Sequence, residues 1–222
     1  MADLREIKLA EFLGAMMGDG NLSLYKSDYR VSITGHKNAD LNYFRYLQKN
    51  FKYLFNKEIK LRDKKRYILL DISNKKIFYQ LHEMGIPIGK KSDIAKIPKN
   101  IFNNMVLSKS FLRGFADAEF SVTFKKAGRK NHSYPRISVD ISSKEMINQI
   151  SKILTKLEIS HKIYRRDRER NGTKYITHNI DINGQDNLLK WLLNVGFNNE
   201  KHLSKIKMWK ELGYYKPYSL NQ

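Results

Sequence analysis

The sequence predicts an α+β protein built as a pseudo-twofold pair of repeats, each running helix–β–β–helix–β–β–helix over about 100 residues. Two observations predict it. The segment FLGAMMGDG at 12–20 returns as LRGFADAEF at 112–120, and each copy is followed by the same succession of alternating and helical patterns. The offset between matched segments grows steadily from 100 to 111, as insertions in hairpin loops would make it; chance matches would scatter. With 41% hydrophobic and 12% aromatic residues in 222, the chain can bury a core in each half.

Taking the elements in order, Asp3 and Glu6 form a capping-box pattern, so the first helix starts near Leu4 and runs to Gly18. Its nearly all-apolar course predicts burial on most faces. Ser108 or Ser110 would cap its counterpart. The run YRVSIT at 29–34 alternates and puts Arg30, Ser32 and Thr34 on one sheet face; PRISVD at 135–140 does the same with Arg136, Ser138 and Asp140. Helical patterns follow at 38–55 and 143–157, then basic segments at 56–66 and 162–174. Strands at 67–74 and 175–183 come next, and a second helix in each half ends in a Gly-containing exit at 81–90 and 193–201. The segment 93–107, with Pro98 and a polar cluster, divides an N-terminal repeat (1–92) from a C-terminal one (108–222). Gly14 and Gly18, like Gly114 and Ala118, lie four apart and form small-residue stripes, so the two repeated helices can pack on each other at a central twofold axis.

Lys and Arg number 42 against 22 Asp and Glu, a net charge of +20. A folded chain this basic points to a polyanion, with nucleic acid the leading candidate. The segment 56–66 carries six basic residues, 162–174 six, and the loop 125–136 five. The absence of cysteine excludes disulfides, thiolate catalysis and Cys-based zinc sites, and the six His show no zinc-ligand spacing. No apolar stretch approaches a membrane span, and the N-terminus has no signal-peptide core, so an intracellular protein is expected.

Asp19 and Glu119 fall at the C-terminal ends of the paired helices, where the helix dipole and a neighbouring carboxylate both disfavour negative charge. Two acids held there need a cation. A hard divalent ion such as Mg²⁺ takes carboxylate oxygens together with the backbone carbonyls of a helix end, here those of Gly18 and Ala118.

On these motifs the chain resembles the single-chain, two-repeat LAGLIDADG homing endonucleases. The resemblance covers almost the whole length and implies four-stranded antiparallel sheets laid along the major groove of double-stranded DNA. It implies cleavage with Mg²⁺ or Mn²⁺ at the centre of a long, nearly non-palindromic site by a monomer, Asp19 and Glu119 binding the metal. It implies a lysine near each scissile phosphate, and the internal alignment pairs Lys90 with Lys201, Lys91 being the alternative to Lys90. GHK at 35–37 and SSK at 142–144 occupy a stretch where relatives order water. Alternate strand residues reach base edges and hairpin tips follow phosphates. The DNA-contact candidates are Arg30, Ser32, Thr34, Arg62, Lys64 and Arg66 in the first half. In the second they are Lys125, Arg129, Lys130, Arg136, Ser138, Asp140, Arg165, Arg166, Arg168, Arg170, Tyr175 and Thr177. Two departures stand out: Met17 where Asp117 keeps the motif's other acid, and Phe120 where Gly is usual, which would strain a helix end requiring positive φ. The same fold leaves an RNA maturase or a non-cutting DNA-binding regulator as alternatives. The Ile, Lys, Asn and Tyr content fits an AT-rich organelle, archaeal or bacterial genome.

Overall fold

Two helices meet at the middle of the molecule and fix everything around them. In the computed structural model, which describes residues 2–170 and 172–217, these are α1 (Leu4–Gly18) and α5 (Met105–Glu119). The Asp3 carboxylate accepts the Glu6 N–H at 2.7 Å and Glu6 accepts the Asp3 N–H at 2.9 Å, so the expected capping box starts α1. At α5 the cap is Asn104, which accepts from the N–H groups of Val106 and Leu107. Ser108 and Ser110 lie inside the helix and donate back to carbonyls one turn or more earlier. The expected cap was therefore misplaced, because Asn104 offers the same side-chain oxygen earlier in the chain.

The seam is reciprocal. A Cβ built on Gly14 would lie 2.0 Å from the Phe111 carbonyl oxygen, and one on Gly114 would lie 2.0 Å from that of Glu11. Matching contacts in both directions are what a local twofold axis requires. The small-residue stripes let the two backbones touch.

Around this seam each half places one sheet. In the first half β1 (Gly20–Tyr25), β2 (Asp28–His36), β3 (Lys60–Asp63) and β4 (Tyr67–Ser73) run antiparallel in the order β1-β2-β4-β3. In the second, β5 (Ser121–Lys125), β6 (Tyr134–Ile141), β7 (Lys162–Arg170) and β8 (Thr173–Asn183) repeat it as β5-β6-β8-β7. Val31, Ile33, Ile68 and Leu70 fill one face of the first sheet, and Ile137, Val139, Ile180 and Ile182 the corresponding face of the second. Helices α2 (Leu41–Phe55), α3 (Lys75–Glu83), α6 (Lys144–Lys156) and α7 (Gln185–Asn194) complete the two repeats. Phe12, Phe51 and Phe55 form one aromatic centre; Phe120, Trp191 and Phe197 form the other.

Two elements go beyond the expected repeat: a short helix α4 (Lys99–Phe102) between the halves and α8 (Glu200–Leu212) after the second. The segment joining the halves is anchored: Gln149 exchanges both amide hydrogen bonds with the Ile97 backbone, and Ser143 donates to the Ala95 carbonyl. Phe120 is extended, at φ −82° and ψ 156°, and packs on Phe115 and Trp191, so the anticipated strain is absent. Gly20 at the matching position is required by contact instead, since a Cβ there would lie 2.5 Å from the Met16 carbonyl oxygen.

Candidate active site

Helix packing delivers the two acids to one place. Asp19 is the C-cap of α1 and Glu119 the last residue of α5. A Cβ on Gly18 would lie 2.5 Å from that of Ala118 and 3.7 Å from the Glu119 carboxylate oxygen Oε1. The helix ends therefore touch, close enough for the Glu119 charge to act on Asp19. Cavities of about 650 and 350 Å³ open beside Glu119, which lines both, while Asp19 stands exposed at the end of its helix.

The electrostatics are those of an acid pair short of positive charge. Desolvation beneath the helix ends, then the Glu119 charge, then Asp40, push the Asp19 pKa up to about 7, against the opposing pull of Lys201 and Lys91. Glu119 is also raised, by desolvation, with Lys91 and Lys201 pulling it down. Because the native Asp19 pKa lies above that of an ordinary aspartate, the folded state binds the extra proton. Its contribution to stability is fully present below about pH 4 and is lost as pH rises through about 7. Asp19→Asn should accordingly be more stable than the parent at pH 8 in EDTA, by about 1 kcal/mol once solvent screening at the cleft mouth is allowed for. Thermal melts at pH 4 and pH 8 check this; an advantage that does not grow with pH would contradict the charge repulsion.

The two basic partners are built differently. Lys91 Nζ donates to the Met16 carbonyl at 3.0 Å and to the Gly20 carbonyl, closing the end of α1 with a cation where the dipole favours one. Burial lowers the Lys91 pKa, while Glu119 and Asp19 hold it up. Lys90 instead is exposed and pairs with Asp93 at 3.2 Å; it lines the 350 Å³ cavity with Lys91 and Glu119, but of the two it is Lys91 whose charge acts on both acids. The one-residue offset from the internal alignment has a cause. After Gly85 the chain bridges Ile88 to Leu22 and makes a second left-handed turn at Gly89 (φ 74°), whose N–H donates to Leu22. In the second half Asn199 caps α8 directly and Lys201 stands in its first turn.

Lys201 is held by a buried polar cluster that sequence reading missed. Its Nζ lies 3.3 Å from Asp40, whose carboxylate also accepts from Asn199 at 2.7 Å and from the His36 N–H at 2.7 Å. Asp117 accepts the N–H groups of Asn198 and Asn199, which fixes the start of α8. Burial raises its pKa to about 7 against those two donors. Across the seam Glu11 accepts from Tyr46 and Asn198 at 2.7 Å each and faces Arg113 at 3.5 Å. The traces of this in the sequence were Glu11 within an apolar run and Asp117 in the second motif.

The pleat decides which strand residues face away from the core. Arg30, Ser32 and Thr34 do so on β2, as expected, and Arg136, Ser138 and Asp140 on β6. Arg62 on β3, Arg166 and Arg168 on β7, and Tyr175 and Thr177 on β8 share those open faces. Arg165 does not. It pairs with His178 in phase with Ile163 and Ile180, hence on the opposite face, and bridges to Asp167 at 3.3 Å. Period-two geometry allows only one of Arg165 and Arg166 on the open side. Lys64 and Arg66 are exposed in the β3–β4 turn; Lys125 ends β5, with Arg129 and Lys130 in the exposed loop beyond. Arg170 ends β7, and its side chain lies outside the described residues.

Residues 107–196 match the LAGLIDADG-like domain family. The chain superposes on the homing endonuclease I-DmoI in complex with DNA and Mn, with a TM-score of 0.61 over 87% of this chain and 98% of that one, at 19% identity. The protein has the two-repeat LAGLIDADG fold. It also superposes on the N-terminal LAGLIDADG domain of DUF199/WhiA, with a TM-score of 0.58 over 93% of this chain and 88% of that one, at 20% identity. Among curated sequences, 200 residues are 28% identical to the replication factor C small subunit of Methanocaldococcus jannaschii, covering 90% of this chain and 10% of that protein. A further 201 residues of alignment are 29% identical to its probable translation initiation factor IF-2, covering 88% of this chain and 16% of that protein. The chain thus spans a small part of these relatives' length.

Proposed function

We propose that the protein is a site-specific DNA endonuclease that makes a double-strand break by divalent-metal-dependent hydrolysis, acting as a monomer on a long, largely asymmetric duplex in intron or intein homing. One observation carries this reading: two carboxylates at the touching ends of the central helices, with Lys91 and Lys201 acting on both, in a fold whose two sheets have basic open faces. The curated relatives support it, because a similar stretch of about 200 residues lies within proteins named for replication and for translation initiation. A module shared by such hosts has a task separate from theirs.

The donor set fits a hard cation. Among the described residues no group of three or more His, Cys, Asp or Glu side chains gathers for a metal. Asp19 and Glu119, helped by the Gly18 and Ala118 carbonyls, would hold Mg²⁺ or Mn²⁺, with phosphate and water oxygens completing the shell as Mg²⁺ prefers. Bound there, the metal would lower the pKa of its water and neutralise charge at the phosphate. The chain's own part is positioning. With a local twofold axis between them, Asp19 and Glu119 would each act on one strand, and Lys91 and Lys201 would offer positive charge where charge builds on phosphate.

Incubation with Mg²⁺ and a library of long randomised duplexes tests the reading. Discrete double-strand products from a recovered sequence are expected, and failure to recover any would count against it. Lys91→Met should slow cleavage of that sequence by about 100-fold, the scale of losing one charge-stabilising donor, whereas Lys90→Met should stay within about twofold. Strand-resolved gels read both; equal losses would show that the lysine assignment is wrong.

A further inference from the structure

Arginines and lysines on the two open faces are held in different ways. Arg30 pairs with Asp28 at 2.7 Å, Arg62 with Asp71 at 2.5 Å and Arg136 with Asp181 at 2.5 Å. Arg168 meets Asp140 at 2.5 Å, and Arg166 meets the same oxygen at 3.8 Å. Every arginine whose described side chain lies on either open face is thus bound to an aspartate of that face. Lys60, Lys125 and Lys162, on the same faces, and Lys64, Lys65 and Lys130 at the tips make no ion pair among the described residues.

Three of the aspartates sit in the middle of a face. Asp71 is on β4, Asp140 on β6 and Asp181 on β8, all inner strands. Asp71 and Asp181 side chains are only 8% and 10% exposed, so they are fixed points. From the edge strand β7, Arg168 reaches over β8 to Asp140 on β6. Although desolvation pushes the Asp140 carboxyl up, the two arginines beside it help bring it below the usual range.

A carboxylate facing a duplex repels every phosphate and weakens binding to any sequence. The return is discrimination. Free cations grip phosphates whatever the sequence, at about one unit of salt slope per contact, whereas base reading needs a guanidinium fork held in a set direction.

Resting on the DNA-binding part of the function proposed above, we propose that Asp71, Asp140 and Asp181 are specificity-determining residues. Each holds an arginine off the phosphates, so that lysines supply the sequence-independent grip and the arginines engage where base edges replace the lost pairing.

The test needs no known target. Polarisation of a labelled duplex of scrambled sequence is followed in EDTA against salt for the parent, Asp140→Asn and Asp140→Thr, the last being the residue at the matching position, Thr34. Asp167→Asn is the control, because it removes the same charge from the opposite face of β7, where Asp167 pairs with Arg165. Both Asp140 variants should bind the scrambled duplex about fivefold to tenfold more tightly and steepen the slope of log affinity on log salt by about 1 to 2. Asp167→Asn should stay within about twofold. Phenylglyoxal labelling read by mass spectrometry should find Arg168 protected in the parent and reactive in both variants. Asp140 variants no tighter than Asp167→Asn, or an Arg168 equally reactive throughout, overturn the proposal while leaving DNA binding intact. A parent that binds no duplex at low salt defeats both this proposal and the reading on which it rests.

Discussion

The double variant Asp19→Asn/Glu119→Gln should bind its duplex normally and cut neither strand. Each substitution keeps shape and hydrogen-bonding capacity but removes the charge that a divalent ion needs, so the loss falls on chemistry rather than on grip. The single variants should nick, because each acid stands at the end of a different helix and, on the proposed mechanism, would serve mainly one strand. Loss of metal-assisted hydrolysis is worth several orders of magnitude in rate, which a supercoiled plasmid carrying the recovered site resolves into supercoiled, nicked and linear forms. Linear product from the double variant with Mg²⁺ would defeat the proposed mechanism. So would a single variant that slowed both strands alike, since the twofold division of labour would then be missing.

The largest effect on stability is expected at the helix seam. Gly14→Ala and Gly114→Ala each place a Cβ about 2.0 Å from a carbonyl oxygen of the facing backbone, far inside any real contact. Neither neighbour is a flexible side chain, so relief requires the two helices to move apart along their whole buried length. We expect a loss of about 4 kcal/mol or more, beyond the usual cost of overpacking because backbone meets backbone. Separation here would also pull Asp19 from Glu119, so cleavage should fail even in molecules that remain folded. Urea unfolding of either variant within about 1 kcal/mol of the parent would show the seam to be looser than described.

How much of this was legible beforehand follows from what a linear pattern can carry. The duplicated motif, the alternation of Arg30, Ser32 and Thr34, and the capping pair Asp3 and Glu6 are local, and each appears in the structure where its period or spacing places it. Pattern also sufficed to bring Asp19 and Glu119 together, because small residues four apart leave few ways for two apolar helices to pack. It failed where the answer depended on phase or on partners distant in sequence. Arg165 and Arg166 both lie in a charged run with no apolar alternation to fix the pleat, and only pairing with β8 chose between them. Lys90 and Lys91 differ by one left-handed turn at Gly89, whose hydrogen bond to Leu22 no neighbouring residue announces. Asp40 lies in a helical pattern and Asn198 and Asn199 in a helix exit, and nothing local to either shows that the chain after α7 crosses to meet Asp40 and Glu11.

The sequence by itself determined the twofold architecture, the helix pair at its centre and the two acids, since these rest on periodicity, residue size and charge. Tertiary structure decided which lysine caps the first acid's helix, which arginine takes the open face and which buried acids hold Lys201 and the start of α8. Those choices turn on single-residue register and on contacts between segments more than 80 residues apart, as in Asp117 with Asn198 and Asp40 with Asn199. Folding alone sets such distances.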